Sequence, residues 1–105
     1  MKTRSAPKMR KPPDRICDLT LYVYDQTPKS AAAFANLKGI CHGNLEDKCR
    51  ITLVDIKKSP LSAKENEIVA VPTLEKTFPF PVRRVIGDLS NTERVLAGLG
   101  LPRQG

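Results

Sequence analysis

Leu19, Leu21 and Val23 alternate with Thr20, Tyr22 and Tyr24. A period of two in β-forming residues predicts a strand over residues 18–24. Asp25 and Gln26 turn the chain. Thr27 then offers a side-chain oxygen to the open N–H groups of a helix start, and Pro28 has no N–H to leave unpaired there. Phe34, Leu37, Ile40 and Cys41 recur at helical spacing, so the helix is expected to end near His42 and Gly43. A second strand is predicted over residues 50–56. Its apolar groups fall on both faces, Ile51 and Leu53 opposite Val54 and Ile56, which predicts a largely covered strand. Strand, helix and strand with short joints form a βαβ unit, whose strands run parallel with a right-handed crossover.

The second half carries mixed signals. Ser59 and Pro60 suit a helix start leading into residues 61–67. Residues 68–74 are apolar and β-branched but are interrupted by Pro72, which cannot donate to a ladder. Phe78-Pro79-Phe80-Pro81 enforces an extended, turning passage, because a residue before proline is kept out of the helical region. A strand is predicted over residues 82–86, ended by Gly87. Ser90 to Glu93 has capping-box spacing before a last helix through Val95 and Leu96, with Gly98 as its expected left-handed stop.

The order is strand, helix, strand, helix, strand, strand, helix. That order predicts an α/β, thioredoxin-like single domain over residues 16–102, a four-stranded mixed sheet with its first strand central and helices on both faces. In such folds a cis proline stands beside the loop after the first strand, the place that Pro72 takes. The same loop is where a thioredoxin carries its reactive CxxC, at a helix N-terminus that lowers the thiol pKa. Here residues 25–30 read Asp-Gln-Thr-Pro-Lys-Ser. They contain no sulfur, which excludes redox chemistry at the usual place.

Charge alters the picture mainly at one end. The 105 residues carry a formal net charge of +7. Lys2, Arg4, Lys8, Arg10, Lys11 and Arg15 stand beside Asp14 alone, among Pro7, Pro12 and Pro13. Residues 1–15 are therefore expected to form a disordered basic arm. Phosphates reward any basic strand, so binding of nucleic acid or another acidic partner through this arm, on a redox-inactive scaffold, is the alternative functional reading. The body lacks the basic, aromatic-studded surface that stacks bases. No run of about 18 apolar residues is present to span a membrane, and no apolar stretch follows the basic start. A cytoplasmic location is expected.

The chemistry-bearing residues are sparse. Cys17, Cys41 and Cys49 are odd in number and show no CxxC spacing, so they read as small core or surface residues. His42 is the single histidine and the one available fourth ligand for zinc, and no metal or other cofactor is expected. No phosphate loop, nucleophile elbow or HExxH motif occurs, and no catalytic residue is assigned.

Tyr22-Val23-Tyr24-Asp25-Gln26-Thr27-Pro28-Lys29-Ser30 resembles the first strand and turn of the circadian clock family KaiB. The resemblance continues through Asn36-Leu37, Val54-Asp55-Ile56 and Ala70-Val71-Pro72-Thr73-Leu74. It is densest in Pro79-Phe80-Pro81-Val82-Arg83-Arg84-Val85-Ile86-Gly87-Asp88-Leu89-Ser90. The resemblance implies a non-enzymatic regulator that binds the N-terminal ATPase ring of the hexameric ATPase and autokinase KaiC. It implies self-association as a dimer or tetramer, and a switch between a tetrameric ground state of altered C-terminal half and a thioredoxin-like docking state. Lys76, Arg83 and Arg84 match partner-binding positions around the Pro-Phe-Pro turn. Pro72, Asp88 and Gly98 are implied in the switch, and replacing the matching glycine favours the thioredoxin-like state in the family. Where the clock members carry a basic residue, a lysine and an acid, this chain has Ala32, Glu67 and Gly100. Circadian timing and a KaiC-linked stress response both fit, as does a link to a sensor histidine kinase pathway, whose sensor domain is similar.

Overall fold

The computed structural model describes residues 16–101. The arm predicted over residues 1–15 lies outside them. The elements follow the predicted order: β1 (Cys17–Val23), α1 (Pro28–Asn44), β2 (Cys49–Asp55), α2 (Pro60–Glu65), β3 (Thr73–Phe78), β4 (Arg83–Ile86) and α3 (Thr92–Leu99). The strands form one sheet in the order β2-β1-β3-β4. β1 pairs parallel with β2 from Cys17↔Cys49 to Val23↔Asp55, and antiparallel with β3, with a register shift between Asp18 and Leu19. The β1–β3 ladder is thus the one seam joining the sheet's two halves. The thioredoxin-like expectation, with β1 central, holds.

Alternation along β1 explains the core. Cys17, Leu19, Leu21 and Val23 point to one face, where α1 supplies Ala33, Leu37, Ile40 and Cys41 and α3 supplies Val95, Leu96 and Leu99. Each fully buried leucine contributes about 1.5–3 kcal/mol relative to exposure. The opposite face carries Thr20 with its register partner Glu75, and Tyr22 with Thr73. α2 buries none of its residues and meets that face through its C-terminal turn, where Arg84 donates to the carbonyls of Asn66 and Glu67.

α1 begins as its sequence dictates. Thr27 accepts from the Ser30 N–H at 3.2 Å, and Pro28 occupies the first turn. Four local expectations fail. β2 is an edge strand with Leu53 49% exposed, so apolar residues on both its faces did not signal coverage. The third strand begins after Pro72 rather than at residue 68. Asn91 caps α3, accepting from the Arg94 N–H at 3.0 Å, in place of the Ser90 capping box. The left-handed stop is Gly100, at φ 71°, whereas Gly98 lies inside the helix.

Candidate functional site

The loop between β1 and α1, where a thioredoxin keeps its thiols, is closed by charge. Asp25 takes a left-handed φ of 54°, and its carboxylate accepts from Lys57 Nζ at 3.0 Å. Asp55 Oδ1 accepts the N–H groups of Asp25 and Lys57 at 2.9 and 3.0 Å. The Lys57 hydrogen bond and charge hold the Asp25 carboxyl below its ordinary pKa, and Asp25 raises that of Lys57 in return. This arrangement orders the loop and offers no nucleophile.

The three basic residues around the Pro-Phe-Pro turn do not form one exposed cluster. Register pairs Lys76 with Leu19 on one side and Arg83 on the other, which turns it to the core face at 2% exposure. The surface docking role expected for Lys76 is therefore at odds with its place in this fold. Arg84 faces the other way, its Nε donating to Glu75 Oε2 at 2.9 Å. It fastens α2 to the sheet. Burial, then the Glu75 charge, pushes the neighbouring Tyr22 hydroxyl above its ordinary pKa. Arg83 is exposed, with its guanidinium Nε 3.1 Å from where a Cβ on Gly100 would stand. Beside it Phe80, 83% exposed, and Val82 offer apolar contact surface.

Pro72, Asp88 and Gly98 converge on β4. The Val71–Pro72 bond is cis, as are those before Pro79 and Pro81. The Pro72 carbonyl accepts from the Gly87 N–H at 3.0 Å. Asp88 accepts from the Ser90 N–H at 3.0 Å through its side chain, while its carbonyl takes a 2.8 Å hydrogen bond from Asn36 on α1. The Ser90 hydrogen bonds keep the Asp88 carboxyl below its ordinary pKa. Gly87 and Leu89 both have positive φ, 128° and 64°. For leucine this is a strained backbone that its burial in the core holds in place. Gly98 packs directly on the strand: a Cβ there would lie 2.7 Å from Val85 Cγ2. A pocket of about 230 Å³ opens beside this joint, lined by Lys29, Asp88, Asn91 and Arg94 among others.

The structure also gathers residues that their spacing kept apart. Cys17 and Cys49 are register partners with sulfurs 2.8 Å apart, and Cys41 reaches the same place from α1. Among the described residues no group of three or more His, Cys, Asp or Glu side chains is arranged to hold a metal ion. No described helix is long and apolar enough to cross a membrane.

Comparison with known proteins places this arrangement. The N-terminal domain of SasA from Synechococcus elongatus superposes with a TM-score of 0.66 at 18% identity, covering 91% of this chain and 88% of that one. Mitochondrial thioredoxin 3 from Saccharomyces cerevisiae gives 0.64 at 18% identity, covering 84% and 80%. At that identity they speak for the fold alone. The sequence relatives speak for more. The circadian clock oscillator protein KaiB of Nostoc punctiforme is 48% identical over 83 residues, 79% of this chain and 80% of its own length. That of Synechococcus elongatus is 44% identical over 89 residues, covering 85% and 87%. Residues 20–101 match the model of the KaiB domain, and the chain belongs to the KaiB family.

Proposed function

We propose that this chain is a non-enzymatic regulator that binds the N-terminal ATPase ring of a KaiC-type hexameric ATPase and autokinase, in circadian timing or a KaiC-linked stress response. The observation that carries the reading is the family match over residues 20–101 on a thioredoxin-like body whose β1–α1 loop holds an ion pair where a redox enzyme has thiols. Arg83, exposed beside Phe80 and Val82, is the leading docking charge. Arg84 supports the same surface from behind, through its bonds to Glu75 and the α2 turn. Lys76 acts from within, as part of the packing under β4. Self-association as a dimer or tetramer belongs to the second, ground-state packing. Pro72, Asp88 and Gly98 sit where the β3–β4 hairpin and α3 would have to part for the chain to reach it.

The test is association of the full chain with a KaiC-type ATPase across a salt series. Arg83→Glu is expected to weaken binding and flatten its salt dependence, while deletion of residues 1–15 leaves binding intact. Affinity and salt slope unchanged in Arg83→Glu would remove that residue from the interface. Binding lost with the arm would transfer the function to residues 1–15.

A further inference from the structure

We propose that Cys17 and Cys49 are a redox-modifiable dithiol that closes to a disulfide on reaction with a low-molecular-weight disulfide. The geometry is set by the sheet. Directly paired residues of neighbouring strands stand about 4.8 Å apart, inside the Cα window of roughly 4.4–6.8 Å that a disulfide bridges. Cys17 and Cys49 open the parallel ladder in register, and their sulfurs face each other at 2.8 Å. Closing the bridge requires no movement of β1 past β2.

Access is one-sided. Cys17 is fully buried and Cys41 nearly so, but Cys49 is partly exposed at the start of the edge strand. A reactant therefore meets Cys49 first. Either sulfur of the Cys17–Cys49 pair can donate to the other, and Cys41 meets Cys49 from α1. The bond from Cys49 lowers the Cys41 thiol below its ordinary pKa against the opposing effects of burial, Cys17 and Asp47. Cys49 is pushed up to about 12, its bond to Cys41 and its burial outweighing the lowering effect of Cys17. Cys17 is raised strongly, first by its hydrogen bond to Cys49 and then by burial and Asp18, with Lys76 working the other way.

The steps balance. The Cys49 sulfur gives up its proton and attacks one sulfur of a disulfide R–S–S–R. The S–S bond breaks, a mixed disulfide forms on Cys49, and the departing R–S⁻ takes up the proton that Cys49 released. The Cys17 sulfur then attacks Cys49, breaking the mixed bond. The second R–S⁻ leaves with the proton that Cys17 gives up. Two protein thiols are oxidised to one disulfide and R–S–S–R is reduced to two R–SH. The site is separate from the β1–α1 loop.

The test uses the full chain, reduced and then equilibrated with glutathione disulfide, quenched by alkylation and mapped by mass spectrometry. The expected product has lost two hydrogens, carries a Cys17–Cys49 cross-linked peptide and leaves Cys41 alkylated. Cys17→Ser is expected to stop at the mixed disulfide on Cys49. Three alkylated cysteines in the treated wild type, a stable mixed disulfide on wild-type Cys49, or a bridge to Cys41 would each overturn the assignment without reliance on any variant's folding.

Discussion

At position 98 there is no room for a methyl group. The Val85 side chain stands 2.7 Å from where it would go, and valine is branched at Cβ and cannot swing aside cheaply. Gly98→Ala is expected to destabilise the thioredoxin-like form by about 1–3 kcal/mol through overpacking. Val85→Ala in the same chain should recover most of that loss, which a double-mutant cycle by urea unfolding measures. This direction is opposite to the one that resemblance implies, and an unfolding midpoint unchanged in Gly98→Ala would show that the contact relaxes. Sequence marked Gly98 as special but for the wrong reason, since two glycines stand in Ala-Gly-Leu-Gly and only the helix phase decides which is the stop. Lys76 misled in a similar way. Its nearness to the Pro-Phe-Pro turn suggested surface, yet a shift of one residue in register would reverse every face, and register was not legible before the ladders were known. Tyr22 gives a residue-scale test by pH. Burial and the Glu75 charge raise its pKa above 10.0 in the fold, so the folded phenol keeps a proton that the unfolded chain loses. Its contribution is constant at lower pH and declines as pH rises above about 10. Tyr22→Phe should decline less over that range, as read from urea midpoints of the two proteins.

Elements were easier to foresee than their ends. The period-two run of β1 and the Thr27-Pro28 start of α1 combine local preference with packing, and both stand where expected within a residue or so. At the α3 start the spacing from Ser90 to Glu93 pointed to a capping box that does not form. The structure gives the capping bond to Asn91. Asn91→Ala is therefore expected to cost about 1 kcal/mol, and Ser90→Ala much less, in thermal or urea unfolding; equal losses would restore the capping box. β2 illustrates a different limit. Apolar residues on both faces suit a central strand, but strand order is a property of the sheet, and here it leaves β2 at an edge. The thiol pair lay beyond sequence for the same reason, because a separation of 32 residues says nothing until β1 and β2 are aligned.

For the whole molecule, family and fold class were legible because the β4 segment and the element order agree. A second packing is implied by resemblance alone. Oxidation offers a test at this scale. A Cys17–Cys49 bridge closes a loop of 32 residues' separation, which constrains the unfolded chain by about 3–4 kcal/mol. Urea midpoints of oxidised and reduced protein should differ accordingly, and a bridged form no more stable than the reduced one would show that the ladder is distorted by the bond.

The seam between β1 and β3 has a consequence for motion on the scale of minutes to hours. β3, β4 and α3 follow one another in the chain, and they meet the first half through that single ladder, the shared core, the Asn36–Asp88 bond and the bonds of Arg84 to the α2 turn. Such a block can open as a unit while β1, α1 and β2 keep their own contacts. Backbone amides of β3, β4 and α3 should then exchange with deuterium together at one common rate, ahead of those of α1. Removing Asn36 should speed the block and leave α1 unchanged, which would make the protein two cooperative units sharing a sheet.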